Sequence, residues 1–155
     1  MSIKVNAMAV LKGQTISDSP ISFSQIGNVL TITGVIQKGL SQGKHGFHIH
    51  EYGDTSQGCT SAGAHFNPFH KTHGSLTSDV SHAGDLGNVI ADETGKAIIN
   101  ITTTKVGLTG PYSVIGRALM LHADEDDLGL GNHDDSLTTG HAGARIACAL
   151  IGIAK

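Results

Sequence analysis

The sequence predicts an all-β fold of about eight short antiparallel strands, arranged as a sandwich or a barrel. Three observations carry that expectation. Apolar residues come in short runs rather than long amphipathic stretches, 21 glycines punctuate those runs, and only 3 prolines and no tryptophan occur among 155 residues. A chain of this length fits one domain, spanning 1–155, and can bury a core without relying on a metal to hold it together.

Taken in order, Ile3, Val5, Ala7 and Ala9 alternate with Lys4, Asn6 and Met8, the period of two that marks a half-buried strand. Further strand-like runs follow at residues 21–23, 29–36, 45–51, 83–91, 97–103, 115–122 and 145–151, separated by glycine-rich turns. Between them lie two long stretches without periodicity, residues 52–82 and 123–144, and loops of that length in a compact fold are usually functional. Inside the second, Asp124, Glu125, Asp126 and Asp127 read as a solvated acidic segment.

The formal charge of -3 opposes a nucleic-acid partner, which would require a basic patch. No segment approaches the ~18 apolar residues of a membrane span, and the first ten residues lack a basic-then-apolar signal pattern. A soluble cytoplasmic protein is the expectation.

Ten histidines against four phenylalanines and two tyrosines is the unusual count. His48 and His50 stand two apart within a predicted strand, so both side chains share one face while Phe47 and Ile49 turn to the core. Such a pair is weak evidence alone. His65, His73, His82 and Asp85 follow, and three imidazoles with one carboxylate form a closed four-ligand set that suits zinc. His122, at the end of an apolar run where the second loop begins, is a further candidate for the His48–His50 metal. Imidazoles without thiolate or thioether suit divalent copper. Cys59 and Cys148 can be read either as free thiols or as a bridge.

Gly46-Phe47-His48-Ile49-His50-Glu51-Tyr52-Gly53-Asp54 and Gly58-Cys59-Thr60-Ser61-Ala62-Gly63-Ala64-His65-Phe66-Asn67-Pro68 closely resemble the copper/zinc superoxide dismutase family. The resemblance continues through His82-Ala83-Gly84-Asp85-Leu86-Gly87-Asn88, Ile115-Gly116-Arg117-Ala118-Leu119 and the segment from Gly143 to Ile153, so it covers essentially the whole chain. It implies an eight-stranded antiparallel Greek-key flattened barrel, of immunoglobulin-like sandwich architecture, with two long functional loops.

The resemblance also implies roles. Copper falls to His48, His50, His65 and His122, and zinc to His65, His73, His82 and Asp85, with His65 bridging the two metals. Asp126 would orient His48 and His73 from behind. Cys59 and Cys148 would form a disulfide, Arg145 would guard the copper channel and draw in the anion, and Thr139 would narrow that channel. His45 would anchor a loop; His70, His133 and His141 have no ligand role. The implied reaction dismutes superoxide to oxygen and hydrogen peroxide by cyclic reduction and reoxidation of the copper.

Ile115, Gly116, Ile151, Gly152 and Ile153 resemble the family's apolar dimer contact, so a homodimer is expected, with a copper chaperone as a delivery partner. The chain departs from several family members where those carry loop lysines: it has Asp124, Leu130 and Thr138 instead. The alternative is a non-catalytic copper-binding or copper-delivery module of the same fold. The full ligand set together with Arg145 and Thr139 opposes it.

Overall fold

The computed structural model describes residues 3–155; Met1 and Ser2, the start of the segment read as lacking a signal pattern, lie outside the described residues. Among the described residues there are ten strands: β1 (Lys4–Gly13), β2 (Ser19–Ile26), β3 (Val29–Ile36), β4 (Gly43–His50), β5 (Ser56–Cys59), β6 (Asp85–Ala91), β7 (Ala97–Thr103), β8 (Ala118–His122), β9 (Arg145–Leu150) and β10 (Gly152–Ala154). A single 3-10 turn, Thr60–Ala62, follows β5. No helix among the described residues is long and apolar enough to cross a membrane.

The sheet runs β10-β1-β2-β3-β7-β6-β4-β8-β9, and β1 also pairs with β9, which closes it into an antiparallel barrel of eight strands. Closure works through one interrupted edge. β1 pairs with β10 at Asn6, Ala7 and Met8 and with β9 at Lys12 and Gly13, while Ile151, between them, takes its hydrogen bonds from the β8 approach instead: Ile151 N donates to Arg117 O and Gly116 N donates to Ile151 O. The chain passes from β3 to β4 and from β7 to β8 across the ends of intervening strands, the Greek-key connection.

Alternation fills the barrel as predicted. In β7, Ala97, Ile99, Ile101 and Thr103 point inward and the residues between them face out. Ala7, Ala9 and Leu11 of β1, Ile21 and Phe23 of β2, and Leu30, Ile32 and Ile36 of β3 meet them in one core cluster. Runs 29–36 and 97–103 coincide with β3 and β7, and the other six predicted runs each overlap one barrel strand. The run read over 115–122 is shortened, because Gly116 turns at φ +85° before β8 can start. β5 and β10 are short strands beyond the predicted runs, and β10 pairs with β1.

β4 departs from simple alternation. All residues from His45 to His50 are buried, since Phe47 and Ile49 enter the barrel core while His48 and His50 lie beneath the two long loops. A bulge between Gly46 and His48 shifts the register against β6 and brings His48 opposite Asp85.

Candidate metal centre

The first loop is laid along the end of β4 by backbone bonds. Phe66 N donates to Ile49 O, Ile49 N donates to Gly84 O, and Gly84 N donates to Phe66 O, all within 2.8–2.9 Å, so His65 comes to lie against His50. Gly84 permits this approach: a Cβ there would sit 2.3 Å from Ile49 O. The Cys59–Cys148 disulfide ties the same loop to β9 across 89 positions of sequence.

In His48, His50, His73 and His122 one ring nitrogen has a partner that fixes the ring. His50 Nδ1 donates to Gly63 O at 2.9 Å and His122 Nδ1 to Gly143 O at 3.1 Å. His48 Nε2 lies 2.5 Å from Asp126 Oδ2, and His73 Nε2 lies 2.7 Å from Asp126 Oδ1. Facing inward, His48 Nδ1, His50 Nε2, His65 Nε2 and His122 Nε2 are buried without a hydrogen-bond partner among the described residues, while His73 Nδ1 lies 2.9 Å from Asp85 Oδ1. Burying one such group costs roughly 1–3 kcal/mol, so four together call for an acceptor of their lone pairs.

Ligand atoms of His48, His50, His65 and His122 all lie within 4.8 Å of one another, and those of His48, His65, His73 and Asp85 do so as well. His82, expected in the zinc set, is not in that second group, but it lies beside it. Its Nδ1 is 3.1 Å from His65 Nδ1 and 3.5 Å from Asp85 Oδ1, while Asp85 Oδ1 lies 3.0 Å from His65 Nδ1 and 2.9 Å from His73 Nδ1. Ligands at zinc-bond lengths of 2.0–2.2 Å on a tetrahedron stand about 3.3 Å apart. Those spacings, and an all-nitrogen set beside it, fit zinc and copper respectively.

Electrostatics prepares the same chemistry. Burial, helped by the neighbouring His65, lowers His50 to about 2 against the opposing bond to Gly63, and burial lowers His122 to about 4 against the bond to Gly143. Burial also pushes His48 well below its ordinary value and lowers His65 despite the Asp85 carboxylate. These rings are therefore neutral, with lone pairs to offer. His73 differs: burial opposes its charge, but bonds to Asp126 and Asp85 outweigh it and raise the ring to about 9. Asp85 is held well below the usual carboxylate range, because bonds from His65, His73 and His82 overcome burial.

Asp126, counted among a solvated acidic segment by charge pattern and as a buried orienting group by resemblance, is 1% exposed, whereas Asp124 and Glu125 are exposed. Asn88, which the sequence offered only inside a longer motif, holds it: Asn88 Nδ2 donates to Asp126 O at 3.0 Å and Asp126 N donates to Asn88 Oδ1 at 2.8 Å. Gly140, at φ +72°, is a second missed contributor, since a Cβ there would fall 2.2 Å from Asp126 Oδ1. Neither has a spacing signal, because both act on the carboxylate from behind.

Arg145 is half-buried; its Nη1 donates to Cys59 O at 2.9 Å and its Nη2 to Gly63 O at 2.6 Å, and its charge helps lower both His50 and His122. Gly63 O thus receives both Arg145 and His50. Thr139 is exposed, and its hydroxyl faces Asp135 Oδ2 at 3.1 Å. His45 joins Ser41 O and His122 O, at 2.8 and 2.9 Å. His70, His133 and His141 are exposed, the last two stacked 3.8 Å apart.

A family model described as copper/zinc superoxide dismutase (SODC) matches residues 18–151. A Cu-Zn superoxide dismutase of Onchocerca volvulus is 52% identical over 156 residues, covering 97% of this chain and 98% of the relative. Superoxide dismutase Cu-Zn 5 of Dictyostelium discoideum is 50% identical over 153 residues, covering 97% and 99%. An extracellular Cu-Zn superoxide dismutase of Brugia pahangi is 54% identical over 136 residues, 86% of this chain and 68% of the relative. Among solved structures, that of the clock protein EA4 superposes with a TM-score of 0.92 at 46% identity, covering 96% of this chain and 94% of that one. Sequence, barrel and paired ligand sets agree: the chain belongs to the copper/zinc superoxide dismutase family.

Proposed function

We propose that His48, His50, His65 and His122 hold copper and that His65, His73, His82 and Asp85 hold zinc, with His65 shared between them. The activity is the family's: the protein is an oxidoreductase that converts superoxide and protons to oxygen and hydrogen peroxide, with copper and zinc as cofactors. The observation that supports the assignment most directly is His65, whose Nε2 has no hydrogen-bond partner and whose Nδ1 faces Asp85 and His82. Both of its nitrogens are committed, one to each set.

When bound, copper would supply the one-electron couple that superoxide disproportionation needs, and zinc a closed-shell positive charge. The residues do the rest. Arg145 offers a permanent cation to an incoming anion, on a guanidinium fixed by Cys59 O and Gly63 O. Gly63 O and Gly143 O hold His50 and His122 by Nδ1, so each ring keeps its Nε2 directed inward. His65 Nε2 carries one of the protons that peroxide requires and solvent brings the other. Thr139 narrows the approach.

The testing experiment is stopped-flow decay of superoxide at known copper and zinc content. Decay in proportion to bound copper is expected; no decay at full copper occupancy would overturn the reading. A non-catalytic copper-binding or delivery module is not favoured.

The homodimer is part of the same proposal. Of the residues expected at the contact, Ile151 is fully buried in the core and Ile115 packs against it, while Ile153 is exposed, as are Tyr52 and Leu150, and Gly152 lines with Met8 and Leu150 a shallow pocket of about 640 Å³ beside the disulfide. Sedimentation as a monomer at micromolar concentration would count against it. A cytoplasmic location, with a copper chaperone as delivery partner, belongs to the same proposal. Cell fractionation tests it, and a copper content unchanged in cells lacking a copper chaperone would remove that partner.

A further inference from the structure

The segment from Ser75 to Ser81 joins His73 to His82 and lies outside the barrel ladder. Ser75 and Ser78 bond one another through N–H and hydroxyl groups, and Lys71 Nζ, from the same loop, donates to Asp79 O. Among the described residues, one side chain from outside the loop bonds into this segment: Lys105, just beyond β7. Its ammonium has three donors, and three acceptors surround it. Nζ donates to Ser75 O at 3.2 Å, to Ser78 O at 2.8 Å and to Ser81 Oγ at 2.6 Å. Ser81 Oγ in turn donates to His82 O at 3.1 Å.

We propose that Lys105 is a positioning residue for zinc, gathering the Ser75–Ser81 segment so that His82 is presented to His65 and Asp85. The inference rests on the zinc ligand assignment made above. The Lys105 stem is anchored independently of the loop, since its backbone N donates to Thr103 Oγ1 at the end of β7. A rigid strand end therefore fixes a segment that must otherwise order itself around the ion. Lys105 pulls at both ends of the segment and in its middle, so losing it frees the whole turn rather than one bond. His73 is held separately, by Leu137 O and Asp126. His82 N donates to Asp85 Oδ2 at 2.8 Å and His82 O accepts from Asp85 N at 3.2 Å, so Lys105 acts on His82 through Ser81 and the segment that leads into it.

The test is zinc affinity of the copper-free protein, measured by chelator competition at neutral pH, with the visible absorption of cobalt(II) placed in the zinc position as a spectroscopic signature. Lys105→Met keeps the apolar stem and removes the donors. Zinc affinity should fall about tenfold, in line with other outer partners of metal ligands, and the cobalt bands should shift. Lys71→Met, which removes a neighbouring lysine bonded to the same loop, should stay within about twofold of the parent. A Lys105→Met protein with parental zinc affinity overturns the proposal, even if its metal-free form melts lower. If Lys105→Met does not fold, Ser81→Ala breaks the link to His82 O, and it should weaken zinc in the same direction; parental affinity there overturns the proposal equally. Failure of the ligand assignment shows differently: His82→Ala would hold zinc as tightly as the parent, which overturns both.

Discussion

The two ligand sets proposed above meet at His65 yet are built in opposite ways. His48, His50 and His122 stand on β4 and β8, adjacent strands whose ladder fixes Cα positions before any metal arrives. His65, His73 and His82 come from the long first loop, which is held by a disulfide, by Asp126 and by Lys105. The first set is organised by backbone and tuned to be neutral. The second is organised by carboxylates and keeps one ring, His73, charged until a metal displaces its proton. Rigidity on one side and charge on the other reach the same geometry by different routes.

The largest expected effect separates the sets by function. His122→Ala removes a strand-borne ligand and should lower dismutation by about 100-fold or more while zinc content stays near the parent's; stopped-flow rates with metal analysis check it, and equal loss of both metals would mean the sets are not separable. Asp126→Ala should weaken zinc by about 10–100-fold and copper less, because His48 keeps its ladder position whereas His73 loses its Nε2 partner. Chelator competition for each metal reads the difference.

pH sharpens the contrast in the metal-free protein. His50 and His122 are lowered, to about 2 and about 4, so their stabilisation is full above the ordinary value of 6.5 and is lost as pH falls toward those values. His73 is raised to about 9, so its contribution is full below 6.5 and disappears as pH rises through 9. Thermal melting of the metal-free protein should therefore peak near pH 6.5 and decline on both sides. A monotonic profile would mean one set dominates. The smallest effect concerns approach: with Asp124, Leu130 and Thr138 in place of loop lysines, the rate should rise less on lowering salt than in lysine-bearing relatives.

The contrast also explains what was legible in the sequence. The strand-borne ligands could be read from period two alone, since His48 and His50 must share a face once Phe47 and Ile49 face the core. The loop-borne ligands could be listed and grouped as a four-ligand set by residue type, but the sharing of His65 between both sets came from resemblance, because no spacing marks a dual role. β3 and β7 were readable to the residue, their alternation being uninterrupted. The start of β8 and the separation of β10 from β9 were not, since Gly116 and Ile151 are set by hydrogen bonds to each other. Asn88 and Gly140 escaped for a related reason: they shape a carboxylate through space, and nothing local marks them.

Asp126 touches His48 with one oxygen and His73 with the other, so the two sites share a single lever. Any free energy by which filling one site favours the other must then be equal in both directions. Loading order can change the route and its speed, but the fully loaded protein reaches the same state with the same total. A cell short of one metal would still obtain, from the other, part of the ordering that the missing ion would have imposed.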